Sequence, residues 1–340
     1  MNAMNARIRG PILAVALATG LSAAAPVAGT AQEYPARPIE FVVPWGPGGG
    51  ADQVARKLAK LMEPALKVSM PVVNVPGATG QTGLTKMLTA PADGYSISVF
   101  IADTFAVQLG TPPPKWGMQD VTALGVVIQQ PSAFLVAEGG KFKSWADVER
   151  IAKTETVRVA MLGFGSADDL TINYYVKKKG LKFVAVPFSK PGERYSAVLG
   201  GHADILYEQI GDVRNFVDNK QMKPVLIFAE KRDADFKDVP TSVEMGDKVT
   251  LPQFRSIVVR GGTDPKIVKK LSDALAAAAK DPEYVDYLKS QYADPQSFVA
   301  ADKAGAFFDR ELKAMKALAA QVGMTKAEAP AATPAPVKQN

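Results

Sequence analysis

The stretch that most constrains this chain is Pro44-Trp45-Gly46-Pro47-Gly48-Gly49-Gly50-Ala51-Asp52, which follows the apolar run Pro38 to Val43 and opens a helical pattern at Ala51. A strand passing through glycines into a helix start outlines an anion site. Successive glycines reach backbone conformations closed to other residues and leave their amides open to a close-approaching ligand. The unpaired amides and positive dipole end of the helix then favour a carboxylate or a phosphate. A flexible turn without a ligand would have the same composition, so the decision falls to the rest of the chain.

The device recurs. Val54, Leu58, Leu61, Met62 and Leu66 repeat at helical spacing over 51–67, and Val68 to Val75 reads as a strand that Pro71 confines to an edge or bulge. Pro76-Gly77-Ala78-Thr79-Gly80-Gln81-Thr82-Gly83 is a second Gly-rich turn before a helix through Leu84, Met87 and Leu88. Tyr95 to Ile101 is a third strand, ending in Ala102-Asp103-Thr104. Strands at 121–128 and 133–136 follow, then a helix N-capped by Ser144 with Asp147 three residues on. Val157 to Leu162 leads into a third turn, Gly163-Phe164-Gly165-Ser166-Ala167-Asp168-Asp169, and a helix over 170–179. Short strands at 183–186, 205–207 and 224–229, a helix near 195–199, and helices beginning at Asp264-Pro265 and running through Phe307 to Val322 complete the pattern. Strands alternating with helices predict an α/β protein with largely parallel sheets, with ligands at the carboxyl ends of strands, where all three turns fall.

The first residues read as a secretory signal over 1–31: Arg7 and Arg9, an Ala-rich apolar run from Ile12 to Val27, and small residues before Gln32. Maturation would leave 38 basic against 34 acidic residues, a formal charge of +4 (40 − 2 − 34). That bias is too weak and scattered for nucleic acid. The chain has no cysteine, which removes disulfides, thiol chemistry and lipidation at a cysteine after the signal. Its Ala/Pro-rich end, 327–340, is expected to be disordered.

The catalytic inventory is thin. His202, in Leu199-Gly200-Gly201-His202-Ala203-Asp204, is the only histidine, so a multi-histidine metal site is unavailable and a structural role is the commoner one. Gly50 is followed by Ala51-Asp52 rather than Lys-Ser/Thr, and Gly163-Phe164-Gly165 reaches Asp168 where a dinucleotide fingerprint wants a small residue. No metal and no cofactor are expected. Asp168, Asp169 and Glu208 are carboxylates in suggestive places, although acids at a helix start are more often dipole partners. Trp45, Phe164 and Tyr207 could line a pocket or belong to the core.

Several segments in order carry a family resemblance: Tyr34-Pro35-Ala36-Arg37-Pro38-Ile39, Val43 to Asp52, Asn74-Val75-Pro76-Gly77-Ala78-Thr79-Gly80, Ala92-Asp93-Gly94-Tyr95, Val186-Pro187-Phe188, Leu199 to Asp204, and Asp238-Val239-Pro240-Thr241. Together, over 34–322, the chain resembles the extracytoplasmic solute receptors of tripartite tricarboxylate transporters, the Bug receptors. The resemblance implies a type II periplasmic-binding-protein fold, with lobe 1 at 33–132 plus 257–326 and lobe 2 at 133–256. It implies a periplasmic monomer, not an enzyme, that captures a small carboxylic acid for large and small permease subunits.

By that likeness the ligand carboxylate lies between the first two turns, at Trp45, Gly46, Gly48, Gly49, Gly50, Ala51, Asp52, Gly77, Ala78, Thr79, Gly80 and Gln81. Asp103 and Thr104 lie at the next strand end, and lobe 2 adds Phe164, Gly165, Ser166, Asp168, Asp169, Phe188, Tyr207 and Glu208. Lobe 2 departs from the family pattern. Asp168-Asp169 stands where a polar residue and histidine are usual, and Glu208 replaces an aspartate. Those acids disfavour a second anionic group unless Lys190 or water offsets them, which points to one carboxylate and a neutral or cationic far end. Two alternatives stay open: a secreted α/β hydrolase using Ser166 or the paired aspartates, and a receptor feeding a membrane sensor.

Overall fold

Apolar β-rich runs form two mixed sheets, and polar turns set where each strand stops. The computed structural model describes residues 33–110 and 113–324; the signal-like segment and the C-terminal tail lie outside the described residues. The first sheet contains β1 (Glu40–Val43), β2 (Val72–Asn74), β3 (Ser96–Ile101), β4 (Val121–Gln130), β10 (Gln253–Arg260) and β11 (Val299–Ala300), in the order β11-β4-β10-β3-β1-β2. The second contains β5 (Ser132–Ala137), β6 (Val157–Met161), β7 (Phe183–Pro187), β8 (Ile205–Gln209) and β9 (Met222–Ile227), in the order β7-β6-β8-β5-β9.

The expectation of largely parallel sheets is corrected. Among the described residues four pairings are parallel and five antiparallel. The βα units at the start of each lobe pair in parallel, Phe41 opposite both Val72 and Ile97, and Val159 opposite Ala185 and Ile205. Antiparallel order enters where the chain changes sheets. Only Pro131 separates β4 from β5, and the return runs from Ile227 to Gln253, where β10 inserts between β3 and β4 against both. The first sheet thus regains the chain already at Gln253.

The helices are α1 (Gly50–Leu66), α2 (Gln81–Thr89), α3 (Ala102–Ala106), α4 (Trp145–Ala152), α5 (Ala167–Lys179), α6 (Pro191–Leu199), α7 (Arg214–Asp218), α8 (Pro265–Lys280), α9 (Pro282–Ser290) and α10 (Ala301–Gln321). One face of the first sheet buries Phe41, Val43, Ile97 and Val259 against Val54, Leu58 and Met62 of α1 and Leu271 and Leu275 of α8. A second cluster is continuous across both sheets, joining Phe100, Phe105, Phe254 and Phe308 to Phe134, Trp145, Tyr175 and Phe228. Burial of this much aromatic surface, each ring removing roughly 150–250 Å² from water, fixes the sheets around one cleft. No helix among the described residues is long and apolar enough to cross a membrane.

Candidate functional site

The first Gly-rich turn is braced by Asp52. Gly48 takes φ +83°, and its amide donates to Asp52 Oδ2 at 2.9 Å. The same carboxylate accepts from Arg56 Nε and from Asn74 Nδ2, both at 3.0 Å, and these bonds hold its pKa below the usual carboxylate range against the opposing effect of burial. Gly49 is the N-cap of α1 and supplies no side-chain cap. The first amides of α1 therefore face the cleft without a protein cap, the arrangement that suits an anion. Space here admits only glycine: a Cβ on Gly49 would lie 2.6 Å from Pro191 Cγ, and one on Gly50 would run into the Asp212 carboxylate and the Arg255 guanidinium.

The second turn packs against lobe 2. Ala78 and Thr79 have φ of +47° and +53°, and the Thr79 hydroxyl donates to the Phe164 carbonyl at 3.2 Å. Gly80 fits under Thr104 Oγ1, where a Cβ would come within 3.1 Å of the Trp45 ring. Gly77 and Gln81 flank this contact at the start of α2.

The third turn repeats the brace of the first but its helix end is filled. The Gly165 amide donates to Asp169 Oδ2 at 2.9 Å, and the Asp169 amide donates to Ser166 Oγ at 3.1 Å. From the other lobe, Asp103 Oδ1 accepts from the Ala167 and Asp168 amides at 3.1 and 3.4 Å, and its Oδ2 accepts from Gln253 Nε2. Asp168 Oδ2 accepts from the Leu162 amide at 3.0 Å. Burial raises the pKa of both Asp103 and Asp168, and the charge on Asp103 raises that of Asp168 further.

Between these ends lies a cavity of about 30 Å³, bounded by Trp45, Gly49, Gly50 and Ala51 on one side and by Pro191, Arg194, Glu208 and Asp212 on the other. That is room for roughly two waters or one carboxylate-sized head group. Its walls are charged. Arg194, 2% exposed, pairs with Glu208, which also accepts from the Tyr195 hydroxyl at 2.9 Å. Arg255, 3% exposed, pairs with Asp212 and donates to Gln130 Oε1 and Gln209 Oε1, both at 3.0 Å. Burial pushes the Asp212 carboxyl up to about 6 although Arg255 opposes the shift. Three buried donors on these walls have no protein partner: Trp45 Nε1, Arg194 Nε and Arg255 Nε. A cavity rich in free donors accepts an acceptor-rich group.

The profile of the tripartite tricarboxylate transporter family receptor matches residues 54–324. The chain belongs to that family. This receptor is 27% identical over 325 residues to the "UPF0065 protein in gbd 5'region" of Cupriavidus necator, covering 94% of this chain and 98% of that one. It is 28% identical over 279 residues to protein BugT of Bordetella pertussis, covering 80% and 85%. Among solved structures, MatC of Rhodopseudomonas palustris with bound malate superposes with a TM-score of 0.77 at 25% identity, covering 84% of this receptor and 99% of MatC. The periplasmic binding protein BugD does so at 0.80 and 24%, covering 86% and 100%. Family members are periplasmic solute-binding proteins, and the hydrolase reading gives way: the Ser166 hydroxyl is buried as a helix cap on Asp169.

In this receptor Trp45, Gly49, Gly50, Ala51 and Glu208 share the cavity wall, while other residues expected in the site stand elsewhere. Gly46 packs against Pro191, with 3.2 Å left for a Cβ. Phe164 is 63% exposed, and its carbonyl accepts from Thr79. Tyr207 is core, stacked on Phe228 at 5.3 Å with its hydroxyl 3.4 Å from Thr171 Oγ1. Phe188 packs on the apolar cluster behind β8, and its carbonyl accepts from Arg194 Nη1. Lys190 pairs with Glu193 at the surface, so Arg194, not Lys190, supplies the positive charge that bears on Asp168. Sequence reasoning missed Arg194, Gln209, Asp212 and Arg255. The available signal was polar residues inside otherwise apolar runs, such as Gln253 and Arg255 ahead of Ile257-Val258-Val259.

Proposed function

We propose that this receptor captures a small carboxylate-bearing molecule in the cleft between its two sheets and delivers it to integral-membrane permease subunits. The observation that carries the reading is the uncapped start of α1 in a cavity whose lining residues Trp45, Arg194 and Arg255 each keep one unpartnered buried donor. The bound malate of MatC supports the same ligand class. Trp45, Gly49, Gly50 and Ala51 would take the carboxylate, and Arg194, Glu208 and Arg255 would read the remainder. The charges of Arg194, Arg255, Glu208 and Asp212 cancel, so the far end of the ligand is read by individual polar contacts rather than by net charge. Export with cleavage near Gln32 and action as a monomer belong to the same reading.

The test is a thermal-shift and titration screen on protein freed of co-purified ligand by unfolding and refolding. Mono-, di- and tricarboxylates, aromatic acids and amino acids form the panel. A ligand at about 100 times its Kd adds about 2.7 kcal/mol, a rise in Tm of roughly 5 °C for a chain of this size. Gly49→Val, whose branched side chain would meet Pro191, should abolish the response. Silence across the whole panel would refute the carboxylate reading.

A further inference from the structure

A carboxylate of the protein lies beside the start of α1, where the ligand carboxylate is proposed to bind, without hydrogen-bonding its amides. Asp212 lies in the turn that follows β8 of the second sheet, and its partner Arg255 lies in β10 of the first. Their side chains are 2% and 4% exposed. The Asp212 carboxylate lies over Gly50, the first residue of α1, where a Cβ would overlap both its oxygens. It bonds Arg255 through Oδ2, while Oδ1 has no partner. The charges around it come from every side: Arg255 of β10, Glu208 of β8, Arg194 of α6 and, behind Arg255, the Tyr287 hydroxyl of α9. Among the residues lining the same cavity, Trp45 Nε1, Arg194 Nε and Arg255 Nε lack acceptors.

Resting on the carboxylate reading, we propose that Asp212 is a built-in competitor that a ligand carboxylate must displace from Arg255 and from the start of α1. A tethered carboxylate competes at a high effective concentration. A lone carboxylate such as acetate is thereby excluded, and an acid with a second polar group, such as malate, gains entry through that group. Neutralising Asp212 removes the competitor and releases Arg255.

The experiment titrates acetate and malate into the wild-type protein and Asp212→Asn at about pH 7.5, where the Asp212 carboxyl is ionised. The variant should bind malate about tenfold tighter or better and should acquire measurable acetate binding. A second measurement needs no variant. Wild-type affinity for malate should rise as the pH falls from about 7.5 to about 5.5, through the Asp212 value of about 6. Unchanged or weaker malate binding by folded Asp212→Asn overturns the competitor while leaving the carboxylate reading intact. A flat wild-type pH profile does the same should the variant fail to fold. If wild-type protein and variant bind neither probe nor any other carboxylate, the carboxylate reading falls and the competitor falls with it.

Discussion

Asp168 is the residue whose chemistry departs furthest from its sequence appearance. It looks like a helix-start carboxylate, yet burial and the charge of Asp103 raise its pKa well above the usual carboxylate range. Asp103, Asp168 and Asp212 all have folded values above the unfolded one. The folded state then binds more protons than the unfolded chain. Their contribution is full below the unfolded value and is lost as pH rises through the folded values. Asp52 and Asp204 act in the opposite sense, with lowered values whose contribution is lost as the pH falls through them. Melting of the ligand-free protein should therefore peak in mild acid and decline toward about pH 8. Asp168→Asn keeps the amide bond from Leu162 and offers Asp103 a permanent donor, so its melting curve should decline less over that range. A decline equal to the wild type's would show that the shift at Asp168 does not contribute to it. None of this was legible in the sequence, because the shift at Asp168 depends on Asp103, 65 positions away.

At the scale of elements, one device is used twice with opposite results. Gly48 donates to Asp52 and Gly165 to Asp169, each from a left-handed glycine to an aspartate four residues on. The brace pins each loop to the first turn of its helix. Asp52→Ala strands the Gly48 amide and two side-chain donors, which should cost about 2–3 kcal/mol in urea unfolding. A loss below about 0.5 kcal/mol would mean the brace is dispensable. Of these two helices α5 is capped by Ser166 and by Asp103, whereas α1 has no side-chain cap and only the Asp212 carboxylate beside Gly50. The glycine turns and the periodic helices were readable because spacing reports period directly. The strand β10 was not read, since its cleft-facing Gln253 and Arg255 break the apolar pattern. The helix α9 was also missed; its two buried anchors, Tyr284 and Leu288, make too short a period.

The whole molecule is held shut by contacts that cross between the sheets. Thr79 reaches the Phe164 carbonyl, Asp103 caps α5, Pro191 covers Gly49 and Asp212 meets Arg255. Each crossing biases the receptor toward closure, and a ligand shifts the balance only by its differential affinity for the closed form. Thr79→Val deletes one crossing hydrogen bond while keeping a β-branched side chain. A net loss of about 0.5–1.5 kcal/mol should weaken ligand binding by up to roughly tenfold and enlarge the ligand-free radius of gyration in solution scattering. Unaltered affinity and radius would remove this contact from the closure mechanism. The chain passes between the sheets at Pro131 and through residues 228–252.

The sequence by itself determined the local parts: three glycine turns at strand ends, the helices that follow them, and the uncapped amides at the first helix start. These follow from φ/ψ freedom, periodicity and helix-end amides, all properties of contiguous residues. Only the tertiary structure decided that Asp103 caps one helix start while the other has no side-chain cap, that half the strand pairings are antiparallel, and that two arginines meet two acids in the cleft. The reason is physical. Those features depend on which distant groups burial forces together, and the cost of burying a charge is settled only by the partner it finds.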